Sequence, residues 1–396
     1  MIPSIRNKYN AEFNADKYAC FIKDLNEAFD YEIDFRISES PIFIDKRLKE
    51  ELIKAGNEIV DIILQPDFKA MTEAAVPPHL KVPNEDDHTS LLAIDFAICL
   101  DEHGQFTPQL IELQGFASLY GYQEWLAEMY REHFNIPDGY DNKFLDYTHQ
   151  TYLNRLKQVI VGDQDPSNVV LLEIEPWKQK TQIDFKVTEQ YLGIKAICLS
   201  EVIMEGRNLF YHLNGVKTPI KRIYNRVIFD ELLQRDDLKL QFNMVEDVDV
   251  EWVAHPNWFF RISKYTMPFL KSKYVPETYF VNELKSIPED LENWVLKPLF
   301  SFSGQGVIFD VALSDISSLE NPADFILQRK VLYAPAVQSP TGPVKCEIRL
   351  LYLWDKNEAR PTLTLNLGRM SKGKMIGVRY NTDLDWVGGT TYFMEK

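Results

Sequence analysis

Lys297 stands in the apolar run Val295-Leu296-Lys297-Pro298 and is followed closely by Ser301-Phe302-Ser303-Gly304-Gln305-Gly306. A lysine at the end of a buried strand offers phosphate a point charge, and a small-residue loop lets backbone N–H groups come close because glycine carries no Cβ. The pair suits a polyphosphate held under a lid. It is not the G-x-x-x-x-G-K-[ST] loop, because the lysine here precedes the glycines.

A second group is Asp95 with Glu112 and Gln114. Alternation along Glu112-Leu113-Gln114 puts both polar side chains on one face of a strand. If Asp95 lies alongside on a paired strand, three oxygen donors converge, two of them anionic. Such a set holds a hard cation such as Mg²⁺ between protein and substrate phosphates.

Two further segments carry polar chemistry on otherwise apolar runs. Phe325-Ile326-Leu327-Gln328-Arg329-Lys330-Val331 leads into LYAPAV, a strand end passing into a linker that can present backbone groups to a planar base, with Gln328, Arg329, Lys330 and Val331 at the bend. Arg349 lies on an apolar strand, and Arg369 and Lys372 flank a turn, with Asn366 before them and Gly388-Gly389 beyond. Buried guanidiniums recognise carboxylate or phosphate through two parallel hydrogen bonds.

The elements that must position these residues change along the chain. DKRLKEELIKAGNEIVDIILQPDF has Leu48, Leu52, Ile53, Ile59, Ile62 and Ile63 at helical spacing, and Pro77, Pro78 and Pro83 then interrupt regular structure. SLLAIDFAICL, a DEHGQ turn and a run around Leu110 to Leu113 read as two strands of a hairpin, followed by a helix through GYQEWLAEMYREHF. NVVLLEIEP, DFKVTEQYLG and IKAICLSEV give strand, helix and strand, a βαβ unit with a parallel sheet. A hairpin turning at Asn214-Gly215 and a strand to Tyr224-Asn225-Arg226 follow. The last third opens with a helix over RISKYTMPFLKSK and continues as strands NWVLKPL, VIFDV, FILQRKV, CEIRLLYLW and ARPTLTLNLGRM.

At 396 residues with 45% hydrophobic content, the chain can fill more than one core. Its 43 Lys plus Arg against 59 Asp plus Glu give a net charge of −16, the wrong sign for coating nucleic acid or an anionic membrane. No stretch is apolar enough to span a membrane or serve as a signal peptide, so a cytoplasmic location is expected. Cys20, Cys99, Cys198 and Cys346 are widely spaced, and neither they nor the seven histidines show a metal-ligand motif or a disulfide framework.

Taken in order, these segments resemble the ATP-grasp ligases, and specifically the circularly permuted branch of eukaryotic-type glutathione synthetase and glutathionylspermidine synthetase. DFAICLDEHGQFTPQLIELQGFASLYGYQ is similar to that branch's early acidic strand. RISKYTMPFL, WVLKPLFSFSGQGV, FILQRKV, and LGRMSKGK through VGGTTYF are similar to its two lysine segments, adenine hinge and closing segment. The resemblance covers about residues 90 to 396.

It implies an α+β/α/β architecture: an ATP-grasp fold of two α+β subdomains clasping ATP, with an inserted βαβ substrate domain and an N-terminal helical region. The corresponding boundaries are 1–89 for the helical region, 90–155 and 255–396 for the two parts of the ATP-grasp domain, and 156–254 for the insertion.

The implied cofactors are ATP and Mg²⁺. Asp95, Glu112 and Gln114 become metal ligands, and Lys264 and Lys297 bind phosphates under the loop Ser303, Gly304, Gln305 and Gly306. Gln328 to Val331 form the hinge. Arg369 grips a substrate carboxylate or acyl phosphate and, with Lys297, carries catalysis.

The family pattern is not complete. Gln114 replaces the usual Asn, and the glutamate expected soon after Lys297 is missing, with Glu347 a candidate to replace it. The implied reaction joins a small carboxylate to an amine or thiol through an acyl phosphate, in a protein expected as a possible homodimer. A degenerate nucleotide binder and a phosphotransferase on the same fold are the alternatives.

Overall fold

The computed structural model describes residues 2–300, 305–373 and 384–396. Its centre is a six-stranded antiparallel sheet, in the order Gly388–Thr390, Thr362–Ser371, Gly342–Leu353, Leu91–Leu100 and Phe106–Gln114, with Val337–Ser339 also paired to Gly342–Leu353. The expected hairpin is its edge, and it sets Asp95 opposite Glu112. On the other side Asp95 lies opposite Arg349, and Glu347 lies opposite Arg369.

Alternation divides this sheet into two faces. Ile94, Phe96, Ile98, Ile348, Leu350 and Tyr352 join the largest apolar core. The helix Lys46–Ile63 packs there, capped at its start by Asp45, whose carboxylate accepts from the Leu48 N–H at 2.8 Å. Leu48, Leu52, Ile59 and Ile63 form its buried stripe, and Ile53 and Ile62 lie at its margin. Gly56 is needed for close approach, since a Cβ there would sit 2.0 Å from the Tyr352 hydroxyl oxygen.

The opposite face carries Asp95, Glu347, Arg349 and Arg369 at its middle. At one end of that face Leu91, Ala93, Leu351, Leu353 and Leu365 enter a second core with Val169, Leu171 and Tyr224 of a parallel sheet. That sheet has the order Glu251–Val253, Arg222–Asn225, Val169–Glu173 and Lys195–Cys198, all parallel, as the βαβ reading requires. The Asn214-Gly215 hairpin also forms, with φ of 51° and 82° at the two turn residues.

A three-stranded antiparallel sheet, Thr278–Phe280, Phe325–Arg329 and Trp294–Pro298, carries Lys297. Two expectations for the last third are corrected. RISKYTMPFLKSK is not one helix: a short helix Asn257–Arg261 ends, and a 3-10 segment Lys264–Phe269 restarts under the Ser263 cap. Ser263 Oγ accepts from the Tyr265 N–H at 3.1 Å, and Pro268 has no N–H with which to continue an α-helix. VIFDV is not a strand either, because only Ile308 pairs, in an isolated bridge to Leu296. No helix among the described residues is long and apolar enough to cross a membrane.

Candidate functional site

Asp95 is almost fully buried, and both its oxygens are engaged. Arg349 donates from Nε to Oδ1 and from Nη2 to Oδ2, each at 2.6 Å, and Arg369 Nη2 donates to Oδ2 at 2.6 Å. Burial alone would raise the carboxyl's pKa, but the two guanidiniums hold it below its usual range. Arg369 also brings Nε to 3.4 Å from Glu347 Oε2, and Tyr333 donates its hydroxyl to Glu347 Oε1 at 2.5 Å. Burial pushes the Glu347 carboxyl upward against Arg369, with Asp95 and Glu112 adding to the rise.

Glu112 is held more loosely. It is half-buried, accepts one hydrogen bond from Gln114 Nε2 at 3.0 Å, and has Arg349 Nη2 at 3.8 Å and Lys264 Nζ at 4.0 Å. The two donors expected to share a strand face therefore do so. Between Asp95 and Phe96 the register with the neighbouring strand slips, so Glu112 faces Asp95 while Leu110 faces Phe96, and Ile111 is the extra residue. The Ile111 carbonyl accepts from Lys297 Nζ at 3.1 Å, so the bulge ties the three-stranded sheet to the central one.

Lys297 is buried, and its pKa is pushed down to about 8, chiefly by burial and further by Lys264, while Glu112 opposes the fall. Lys264 is also buried and shifted down by burial, against the pull of Glu112 and Asp230. Two buried lysines thus meet Glu112 here, with Asp230 acting on Lys264 and Glu347 on Lys297, a concentration of charge in a low-dielectric site.

The hinge residues divide. Gln328 shares the Lys297 face of its sheet, is buried, and among the described residues has no hydrogen-bond partner for Nε2. Arg329 faces the other way, pairing with Asp290 at 2.9 Å and lying over the Trp294 ring. Lys330 donates to the Glu292 carbonyl at 2.6 Å. Arg329, Lys330 and Val331 border a cleft of about 650 Å³ with Cys99, Thr107 and Leu332.

Gln305 and Gly306 are exposed; Gly306 has φ +71° and lies against Pro298. Ser303 and Gly304 lie outside the described residues. Asn366 points away from the site, donating to the Asn142 carbonyl at 2.7 Å and accepting from the Tyr392 N–H at 2.7 Å. Lys372 pairs with Asp385.

Sequence reading missed a second polar centre. In the parallel sheet the chain runs from Val169–Glu173 to one neighbour, Lys195–Cys198, and then to the other, Arg222–Asn225, so the topology switches between the first and third of these strands. Crevices at the carboxyl ends of such strands bind ligands. Glu173, Asn225 and Arg226 lie there, all buried. Burial pushes Glu173 up to about 8 against the nearby Arg226. Arg226 Nη1 reaches Asp184 Oδ2 at 3.3 Å, while among the described residues Arg226 Nε and Asn225 Nδ2 have no hydrogen-bond partner. Asp184 accepts from the N–H groups of Leu119 and Tyr122, each at 3.1 Å, tying this centre to the turn that follows Gln114. The signal available in the sequence was Tyr224-Asn225-Arg226 at the end of an apolar strand.

No protein-family model matches the chain, and no curated protein matches it in sequence. In solved structures it is similar to a glutathione synthetase-like effector from Globodera pallida in its apo form. The identity is 9%, the TM-score is 0.60, and the match covers 96% of each chain. This is a mixed α/β protein whose fold resembles the glutathione synthetase-like ATP-grasp fold.

Proposed function

We propose that this protein is an ATP- and Mg²⁺-dependent ligase that joins a carboxylate to an amine or thiol through an acyl phosphate. The observation that carries the reading is the convergence of Lys264, Lys297 and Glu112 between two sheets, beside the arginine-lined face of the central one. The order of segments, acidic hairpin early and lysines late, matches the permuted branch of glutathione synthetase and glutathionylspermidine synthetase.

Lys264 and Lys297 hold the β- and γ-phosphates, with the Gln328 to Val331 bend beside the base. Glu112 and Gln114 offer hard oxygens that would hold Mg²⁺, with Glu347 the candidate for a third in place of Asp95, whose oxygens already serve two arginines. Mg²⁺ bound there neutralises phosphate charge. The acid's carboxylate oxygen attacks the γ-phosphorus and ADP leaves. The nucleophile then attacks the acyl carbon, phosphate departs, and the nucleophile loses its proton. Arg369, the guanidinium nearest both Asp95 and Glu347, meets the charge that develops on the acyl phosphate. Asn225 Nδ2 and Arg226 Nε, without hydrogen-bond partners among the described residues, suit the remainder of an acidic, peptide-like substrate.

Hydroxylamine tests this reading, because it intercepts acyl phosphates as hydroxamates. With pools of acids, ATP and Mg²⁺, hydroxamate and ADP are expected in equal amounts and are absent in Lys297→Ala. ADP binding or ATP uptake without either product points to the nucleotide-binding alternative, for which the capture of Asp95 by two arginines speaks. A phosphorylated product without amide points to a phosphotransferase.

A further inference from the structure

Three side chains of different chemistry meet between an N-terminal helix and the helix that follows the acidic hairpin. Cys20 and Asp24 lie one turn apart on the helix Ala15–Glu27, and His133 ends the helix Tyr120–His133. Cys20 Sγ is 3.7 Å from Asp24 Oδ2, and His133 Nε2 is 3.1 Å from the same oxygen. All three ligand atoms fall within 4.8 Å of one another.

The contact between His133 and Asp24 is short, and among the described residues the buried Nε2 has no hydrogen-bond partner. Asp24 Oδ2 thus sits between the thiol and the imidazole, at spacings that neighbouring ligands of one cation also have. Bond lengths of about 2.0 Å to nitrogen or oxygen and about 2.3 Å to sulfur place tetrahedral ligands roughly 3.3 to 3.6 Å apart. The observed 3.1 and 3.7 Å bracket that spacing.

The surroundings fix the geometry. Phe21, on the same helix, packs edge-on to the His133 ring at 5.6 Å and against Tyr130 at 4.8 Å, so the imidazole is held by a packed core on one side. Cys20 is exposed, which leaves an entry path.

We propose that Cys20, Asp24 and His133 form a three-ligand Zn²⁺ site that clamps the N-terminal helix to the helix following the acidic hairpin. A thiolate and an imidazole select zinc over Mg²⁺ or Ca²⁺, and thiolate plus carboxylate neutralise the dication. Three protein ligands leave one position to solvent. The site is independent of the nucleotide reading.

The test uses full-length protein stripped with chelator, kept reduced with a phosphine, and titrated with Co²⁺ and then Zn²⁺ without nucleotide or Mg²⁺. One equivalent of Co²⁺ is expected to give a thiolate-to-metal charge-transfer band and the visible bands of a four-coordinate site, both erased by one equivalent of Zn²⁺. Cys20→Ser and His133→Gln should lose the band and weaken Zn²⁺ binding at least about tenfold, the scale at which even outer partners of a ligand act. Glu112→Gln and Cys198→Ser should keep both, which separates this site from the phosphate-binding one and from the other thiols. Circular dichroism checks that each variant is folded. Absence of a thiolate band in the parent, or a band and affinity unchanged in folded Cys20→Ser, overturns the proposal and leaves an ordinary His133–Asp24 ion pair beside a free thiol.

Discussion

Two carboxylates that face each other across one hairpin, Asp95 and Glu112, have opposite surroundings. Asp95 is buried and takes three short hydrogen bonds from two arginines. Glu112 is half-buried, holds one amide, and has its nearest cations at 3.8 and 4.0 Å. The first arrangement is held by short bidentate contacts that rigidify the sheet; the second is held at longer range. Looser contacts are easier for a ligand to replace, which puts the chemistry on the Glu112 side with Lys264 and Lys297.

The largest effect should come from breaking the complete side. Asp95→Asn removes the charge while nearly keeping the shape, and leaving the buried Arg349 guanidinium without its carboxylate should cost about 3 to 5 kcal/mol of stability in urea unfolding. A loss below about 1 kcal/mol would show that Asp95 is not the structural partner described here. Glu112→Gln should leave stability almost unchanged and instead raise the Mg²⁺ needed for nucleotide binding by roughly tenfold, the equivalent of about 1.4 kcal/mol for one lost anionic donor. Superimposed Mg²⁺ titrations would remove Glu112 from the metal site.

A third effect, read as a slope of stability against pH, concerns the crevice in the parallel sheet. The folded Glu173 carboxyl binds its proton more tightly than the unfolded one, with a pKa of about 8 against 4.5. Its contribution to stability is therefore fully present below pH 4.5 and is lost as pH rises through 8. Glu173→Gln, neutral at every pH, should flatten that decline. A slope between pH 5 and 8 identical to the parent's would mean Glu173 is ionised in the folded protein, already paired rather than poised for a ligand.

Much of this arrangement was legible in the sequence because it is local. Alternation placed Glu112 and Gln114 on one face, the DEHGQ turn set the hairpin, and an apolar run before a small-residue loop marked Lys297. The parallel βαβ unit followed from period and length. Features set by distant partners were not legible. Arg349 meets Asp95 across 254 residues, and nothing near either one announces it. The Ile111 bulge exists because of register, and the carbonyl it frees is what Lys297 grips. The segment RISKYTMPFLKSK read as one helix, but the Ser263 cap and Pro268, which only the backbone course makes decisive, divide it. Cys20 and His133 escaped any motif search for the same reason: they come from separate helices.

The central claim is that Lys297, with Lys264 and Glu112, forms a cation-assisted phosphate site. Calorimetric titration of the parent and Lys297→Ala with a non-hydrolysable ATP analogue, with and without Mg²⁺, tests it most directly. Binding in the parent should require Mg²⁺, and the variant should lose about 2 to 5 kcal/mol of binding free energy while remaining folded, the range for removing one partner of a buried charge contact. Equal affinity in the two proteins, or no binding by a folded parent in any condition, would contradict it.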